Sequence, residues 1–395
     1  MKSVVERFLE YVKIDTTSDE CSNSYPSTRN QVKLLDRLKG ELENYNADVD
    51  FNGKYVIARL PKNESKTTIC LIAHVDTSDA VSGENIKPVI TKYKGGDIVL
   101  PYTVIEKDML CDAVGKTVIT SDGSTLLGAD DKAGVAEIMS MAEYFYNYST
   151  AKRCNVVIVF TPDEEIGKGT EYLDIDKIGA DFGYTVDGGL LGEMEYENFN
   201  AAALDITVNG RSIHPGSAKD KMKNAIDLFC EFHSKLPVNA RPVNTEKYEG
   251  FYMASDIEGC VEKLKASYII RDHDKNKFED KKQFIKSIVA TLNEKFGENT
   301  FVATIKDSYY NMREIIEKNP RITTIAEQAY IACGVDPIIK PIRGGTDGAM
   351  LSYKGLPCSN LSTGGANFHS KEEFVVVESM EKMVEVLIKI TELLA

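Results

Sequence analysis

Histidine is scarce in this chain, with only five among 395 residues, and positive charge is in the minority. Lys and Arg number 47 against 61 Asp and Glu, a formal net charge of −14. That balance argues against nucleic acid or an anionic membrane surface as a partner, because neither would meet a basic face. The eight cysteines (Cys21, Cys70, Cys111, Cys154, Cys230, Cys260, Cys333 and Cys358) are scattered, with no Cys-x-x-Cys spacing. This excludes a zinc ribbon or a dense disulfide frame, and they read as reduced, mostly buried thiols of a cytoplasmic protein. Met1 to Lys13 carries Glu6 and Glu10 among its apolar residues and lacks the apolar core of a secretory signal. No apolar run reaches membrane-spanning length, and low-complexity segments and short-period repeats are absent.

What remains is a chain with 43% hydrophobic residues, longer than the roughly 250 to 300 residues at which single cores stop growing. Two domains are expected. Val5, Phe8, Leu9 and Val12, then Val32, Leu35, Leu38 and Leu42, recur at helical spacing. Strands follow at Tyr55–Leu60 and Thr67–Ala73, then a polar, glycine-rich stretch, a helix over Asp131–Tyr146, and strands at Asn155–Phe160 and Phe182–Val186. The alternation predicts an α/β fold, a mostly parallel mixed sheet with helices on both faces. Near Ala201 the pattern changes, because Leu204, Ile206 and Val208 alternate with polar residues as in a strand with one solvated face. A helix around Lys219–Lys235, paired strands near Glu258–Arg271, a helix near Lys275–Phe296 and a strand at Thr300–Lys306 complete a ferredoxin-like α+β order. The expected organisation is a main domain in two parts, 1–200 and 312–395, with residues 201–311 inserted between them.

The chemistry-bearing residues stand where buried strands stop. Val156 to Phe160 leads into Thr161-Pro162-Asp163-Glu164-Glu165, and Ile69 to Ala73 leads into His74-Val75-Asp76. Phe182 to Val186 leads into Asp187-Gly188-Gly189, and Asp130-Asp131 opens the helix after residue 128. Each has an ordinary local reading: an acidic turn, a histidine at a strand end, an Asp-Gly turn, a helix cap. All of them together are harder to explain locally, since parallel strands converge at their carboxyl ends, where ligands gather in open α/β sheets. Imidazole and carboxylate donors without cysteine suit zinc, cobalt or manganese, in numbers sufficient for two ions. Glu164 and Glu165 leave the strand in different directions and are expected to take different roles.

The set Ala73-His74-Val75-Asp76, Gly128-Ala129-Asp130-Asp131-Lys132, Pro162-Asp163-Glu164-Glu165, Asp187-Gly188-Gly189, His214-Pro215-Gly216 and His369 resembles the dinuclear zinc peptidases related to carboxypeptidase G2 and aminoacylase. Within that family, the segments 184–189, 197–201, 307–313 and 341–348 are similar to the tripeptide aminopeptidase branch. The resemblance runs from about Phe8 to the C-terminus.

It implies that His74, Asp130 and Asp187 bind one zinc, and that Asp130, Glu165 and His369 bind the other, with Asp130 bridging and the Asp130–Asp131 peptide cis. Cobalt and manganese are the implied substitutes. Asp76 would orient His74, Glu164 would be the general base for a metal-bridged hydroxide, and His214 would stabilise the oxyanion. Arg343 and Arg271 would contact a substrate carboxylate, which a guanidinium fork binds through both oxygens. Asp163 is left as a surface or turn residue, His233 as helix surface and His273 as a loop residue. The inserted domain would serve as lid and dimerisation domain of a homodimer. The implied activity is release of the N-terminal residue from tripeptides. The alternatives are a dipeptidase, carboxypeptidase or N-acyl amino acid deacylase on the same scaffold, or an inactive metal-binding regulatory relative.

Overall fold

A computed structural model describes residues 1–110 and 113–395, and the chain divides into two compact units. The first comprises Met1–Tyr196, Met312–Lys340 and Thr346–Ala395; the second comprises Glu197–Asn311 and Pro341–Gly345.

The first unit is built on an eight-stranded mixed sheet. Its centre runs Val56–Arg59, Asn155–Thr161, Thr68–His74, Phe182–Gly188 and Cys358–Ser362, with the last four mutually parallel. The three strands read as buried are so: Ile69 to Ala73, Val156 to Phe160 and Phe182 to Val186 are buried at successive residues. One alternating set, including Ile57, Cys70, Ile72, Val157 and Val159, packs with Leu351, Leu356 and Ile178. The long helix Ala129–Asn147 packs on Thr68–His74 and Phe182–Gly188. A Cβ at Gly134 would stand 1.8 Å from the carbonyl oxygen of Val186, so only glycine lets the helix come this close to the strand. The register is what matters for chemistry. His74 pairs with Thr161, which brings the ends of those two strands level.

The second unit is a four-stranded antiparallel sheet, ordered Phe251–Gly259, Lys263–Asp272, Asn200–Asn209 and Phe301–Tyr309. Leu204, Ile206 and Val208 face helices Ala225–Lys235 and Lys275–Phe296, while intervening Asp205 is exposed, as the alternation predicts. The first of these helices begins at Ala225, later than the periodicity suggested, because the Asn224 side chain caps it by accepting from Ile226 N–H.

The reading of the cysteines as mostly buried needs correction. Of the seven described, all unpaired, Cys70, Cys154 and Cys358 are buried, Cys333 is half-buried, and Cys21, Cys230 and Cys260 are exposed; Cys111 lies outside the described residues. A thiol is small enough to be carried on a polar surface without cost, so composition does not decide its place. Among the described residues no helix is long and apolar enough to cross a membrane.

One buried group carries a stability prediction. Glu137, on the helix Ala129–Asn147, has both carboxylate oxygens buried with no hydrogen-bond partner among the described residues, and burial pushes its carboxyl well above the ordinary 4.5. The folded state therefore holds this proton more tightly than the unfolded chain, and stability falls as pH rises above the unfolded value. Glu137→Met removes that slope and stabilises the protein at about pH 8 by about 1–3 kcal/mol. Urea unfolding at about pH 5 and about pH 8 measures both terms. Equal slopes for the two proteins would contradict it.

Candidate metal centre

Five donors from five separate segments meet at the carboxyl ends of the parallel strands. His74 ends its strand, with Nε2 2.9 Å from Asp130 Oδ1 and 3.4 Å from Asp187 Oδ1. The other oxygen of Asp130 stands 3.1 Å from His369 Nε2, which is 2.9 Å from Glu165 Oε2. The result is two overlapping groups, His74 with Asp130 and Asp187, and Asp130 with Glu165 and His369, each with donor atoms gathered within 4.8 Å. Asp130 belongs to both. It lies in the first turn of its helix, where Asp130 and Asp131 depart from helical angles and the peptide between them is cis.

The electrostatics are those of crowded carboxylates around two imidazoles. Burial, with the neighbouring Asp130 carboxylate, pushes both Asp187 and Glu165 up to about 7. Hydrogen bonds to Asp130 and Glu165 raise His369 to about 11. Burial opposes charge on His74, yet Asp187, Asp130 and Asp76 raise it well above its ordinary value. Positive charge is what this cluster demands. The residues fit divalent cations by their donor chemistry: two imidazole nitrogens and three carboxylates converge, and Glu165 Oε1 is buried with no hydrogen-bond partner among the described residues.

Carboxylates outside the two groups hold the backbone that carries the donors. Asp76 places Oδ1 3.2 Å from His74 Nδ1 and accepts from Glu164 N–H (3.0 Å) and Glu165 N–H (3.1 Å). Asp131 Oδ2 accepts from His74 N–H at 3.1 Å. Glu164 belongs to neither donor group; its Oε1 accepts from Asp347 N–H at 3.3 Å. Burial, together with Asp347, Asp187 and Glu165, drives the Glu164 carboxyl well above the ordinary range.

Residues 122–393 match Peptidase family M20/M25/M40. The chain belongs to this family. It is accordingly a hydrolytic enzyme, a metallopeptidase. It is 51% identical over 405 residues to Peptidase T of Caldanaerobacter subterraneus subsp. tengcongensis, covering 100% of this chain and 99% of that protein. It is also 51% identical over 407 residues to Peptidase T of Clostridium acetobutylicum, covering both in full. The fold is similar to the crystal structure of aminopeptidase PepT from Bacillus cereus, with a TM-score of 0.81 at 22% identity over 99% of this chain and 98% of that one. The resemblance read from the motifs is thereby borne out.

One expectation about this M20 chain needs revision. Asp163, read as a surface or turn residue, does turn the chain with φ +57°, but it is fully buried. Its carboxylate accepts from Ser27 N–H (2.7 Å), Ser27 Oγ (2.5 Å) and Gln31 Nε2 (2.7 Å), tying the acidic loop to the first turn of the helix Arg29–Asn44 and the residue Ser27 before it. No local signal in the sequence pairs it with Ser27 or Gln31. His273 is the loop residue it was read as, between the strand ending at Asp272 and the helix starting at Lys275, and it is buried against Phe199, with ring centroids 4.2 Å apart.

The remaining predicted residues lie in the second unit. His214 is exposed at a short turn, and its Nδ1 accepts from Gly216 N–H, so the neutral ring carries its proton on Nε2. The Arg343 guanidinium sits over Phe199 and donates to Thr245 Oγ1 (3.1 Å) and the carbonyls of Thr245, Lys247 and Glu249. Arg271 donates to the Arg343 carbonyl at 2.9 Å. Both arginines are thus engaged with the backbone of their own unit. The sequence spacing did not foresee that. Asp347 and Glu373, buried carboxyls beside the centre, were also missed as individual residues.

Proposed function

We propose that the chain is a two-metal aminopeptidase that releases the N-terminal residue from tripeptides. The observation that carries this reading is the placement of Asp130, with one carboxylate oxygen facing His74 and the other facing His369. His74, Asp130 and Asp187 would hold one ion and Asp130, Glu165 and His369 the other, zinc being suited to these donors and cobalt or manganese able to substitute. When bound, the ions supply Lewis-acid polarisation of the scissile carbonyl and make water nucleophilic near neutral pH.

The chain's own residues divide the rest of the work. Glu164, raised in basicity and free of ligand duty, takes the proton of the attacking water and passes it to the leaving amine. Asp76 fixes the orientation of His74 while holding the Glu164–Glu165 backbone. His214 Nε2–H is assigned to the developing oxyanion, acting across a homodimer whose inserted domain is also the lid. Arg343, supported by Arg271, is assigned to the C-terminal carboxylate of the peptide, an assignment that requires its present carbonyl partners to be exchanged. Seven unpaired cysteines accord with a cytoplasmic, reducing compartment.

The test compares a tripeptide with its C-terminally amidated and N-acetylated forms. The free tripeptide loses its N-terminal residue and the acetylated form resists. The amide is cleaved about 10- to 100-fold less efficiently, the equivalent of one hydrogen bond to a charged group at ~1.5–3 kcal/mol. Equal turnover of all three would refute the assignment, and release of the C-terminal residue would make the enzyme a carboxypeptidase.

A further inference from the structure

Glu373 is a fully buried carboxylate that the proposed mechanism does not use. Its Oε2 accepts from the backbone N–H groups of Leu127 (2.7 Å) and Gly128 (2.8 Å), and its Oε1 from that of Asp130 (3.1 Å). Gly128 has φ +78°, a left-handed conformation that glycine adopts without penalty and that turns successive N–H groups toward one point. The turn leading into Asp130 is therefore an anion-binding nest, and Glu373 is its anion.

The other end of this contact is equally defined. His369 lies in the loop joining Gly365–Ala366 to Phe374–Val376, strands that pair antiparallel with Ala366 opposite Phe374. The loop is braced internally, Asn367 Nδ2 donating to the Glu372 carbonyl (3.2 Å) and Ser370 Oγ to the Asn367 carbonyl (2.7 Å). Glu373 stands at its base, immediately before the second strand. This hydrogen-bonded loop, anchored at its base on the Asp130 turn, places His369 Nε2 3.1 Å from Asp130 Oδ2.

We propose that Glu373 is a positioning residue for the ion held by Asp130, Glu165 and His369, setting the separation of two donors that lie more than two hundred residues apart in the chain. The inference rests on the ligand set assigned above. It adds to that set a residue that contributes no donor atom to either group. The role needs an acceptor at both ends of the side chain. A glutamine keeps one oxygen for Leu127 and Gly128 but turns its NH2 toward Asp130 N–H, setting donor against donor. An aspartate keeps both oxygens but is one methylene short.

The experiment titrates Co2+ into metal-free wild-type, Glu373→Gln and Glu373→Asp proteins, reading visible absorption, and compares thermal unfolding of the metal-free proteins. Wild type binds two ions; if it does not, the ligand assignment itself has failed, and this proposal with it. With two ions bound to wild type, at least one variant keeps the metal-free unfolding temperature and binds its second ion 10- to 100-fold more weakly, the usual loss when a residue supporting a ligand is changed. Second-ion affinity equal to wild type in both variants overturns the proposal. Collapse of the metal-free fold in both also overturns it, since Glu373 would then be a folding residue with no particular bearing on the ion.

Discussion

Glu164→Gln lowers kcat by about 10²–10⁴-fold, or ~2.7–5.4 kcal/mol of transition-state stabilisation, while both ions stay bound. Three features of the site lead to this expectation. Glu164 stands outside both donor groups, so its loss takes no ligand from either ion. Its backbone is held independently of its side chain, through its N–H to Asp76 Oδ1, and the acidic loop is fastened by Asp163 to Ser27 and Gln31. The glutamine oxygen also still accepts from Asp347 N–H, so the side chain keeps its one backbone contact. What disappears is the capacity to take a proton. Steady-state kinetics on a tripeptide together with metal analysis of the dialysed protein give both readouts. A kcat within a few-fold of wild type would remove Glu164 as the base, and loss of metal would make it a ligand.

Asp130→Ala abolishes turnover and strips both ions, whereas Asp187→Ala weakens only one. The asymmetry follows from geometry. Asp130 divides its two oxygens between His74 and His369, while Asp187 approaches His74 alone of the two histidines. Removing Asp130 reduces each donor group to one imidazole and one carboxylate, too few for tight divalent binding; removing Asp187 leaves the group of Asp130, Glu165 and His369 complete. Metal content after dialysis against chelator-treated buffer distinguishes the two variants. If Asp130→Ala retains one ion as firmly as Asp187→Ala does, the bridging role is wrong.

That these side chains gather in one place was legible in the sequence because parallel strands convert sequence position into spatial position. Ile69 to Ala73 and Val156 to Phe160, two runs without polar alternation, read as buried strands, and their ends come level because His74 is in register with Thr161. The family resemblance then implied the set of two histidines and three carboxylates that the fold brings together. The support of that set was not legible. Asp131, Asp347 and Glu373 act through backbone N–H groups or beside them, at sequence separations of 57, 183 and 245 residues for the bonds from His74 to Asp131, Asp347 to Glu164 and Gly128 to Glu373. An acceptor for a main-chain N–H has no partner type to read, since nearly every residue carries that donor.

The two arginines show the same limit from the other side. Arg343 on a glycine-rich loop reads as a free fork, yet its guanidinium is spent on the carbonyls of residues 245–249 and on the face of Phe199. By itself the sequence determined which side chains carry metal-donor chemistry and which of them stand at the ends of buried strands, because residue type and hydrophobic period are local properties. Only the tertiary structure decided which carboxylates gather around the two histidines and which accept from the backbone, because that depends on which main-chain groups from distant segments are left to be satisfied.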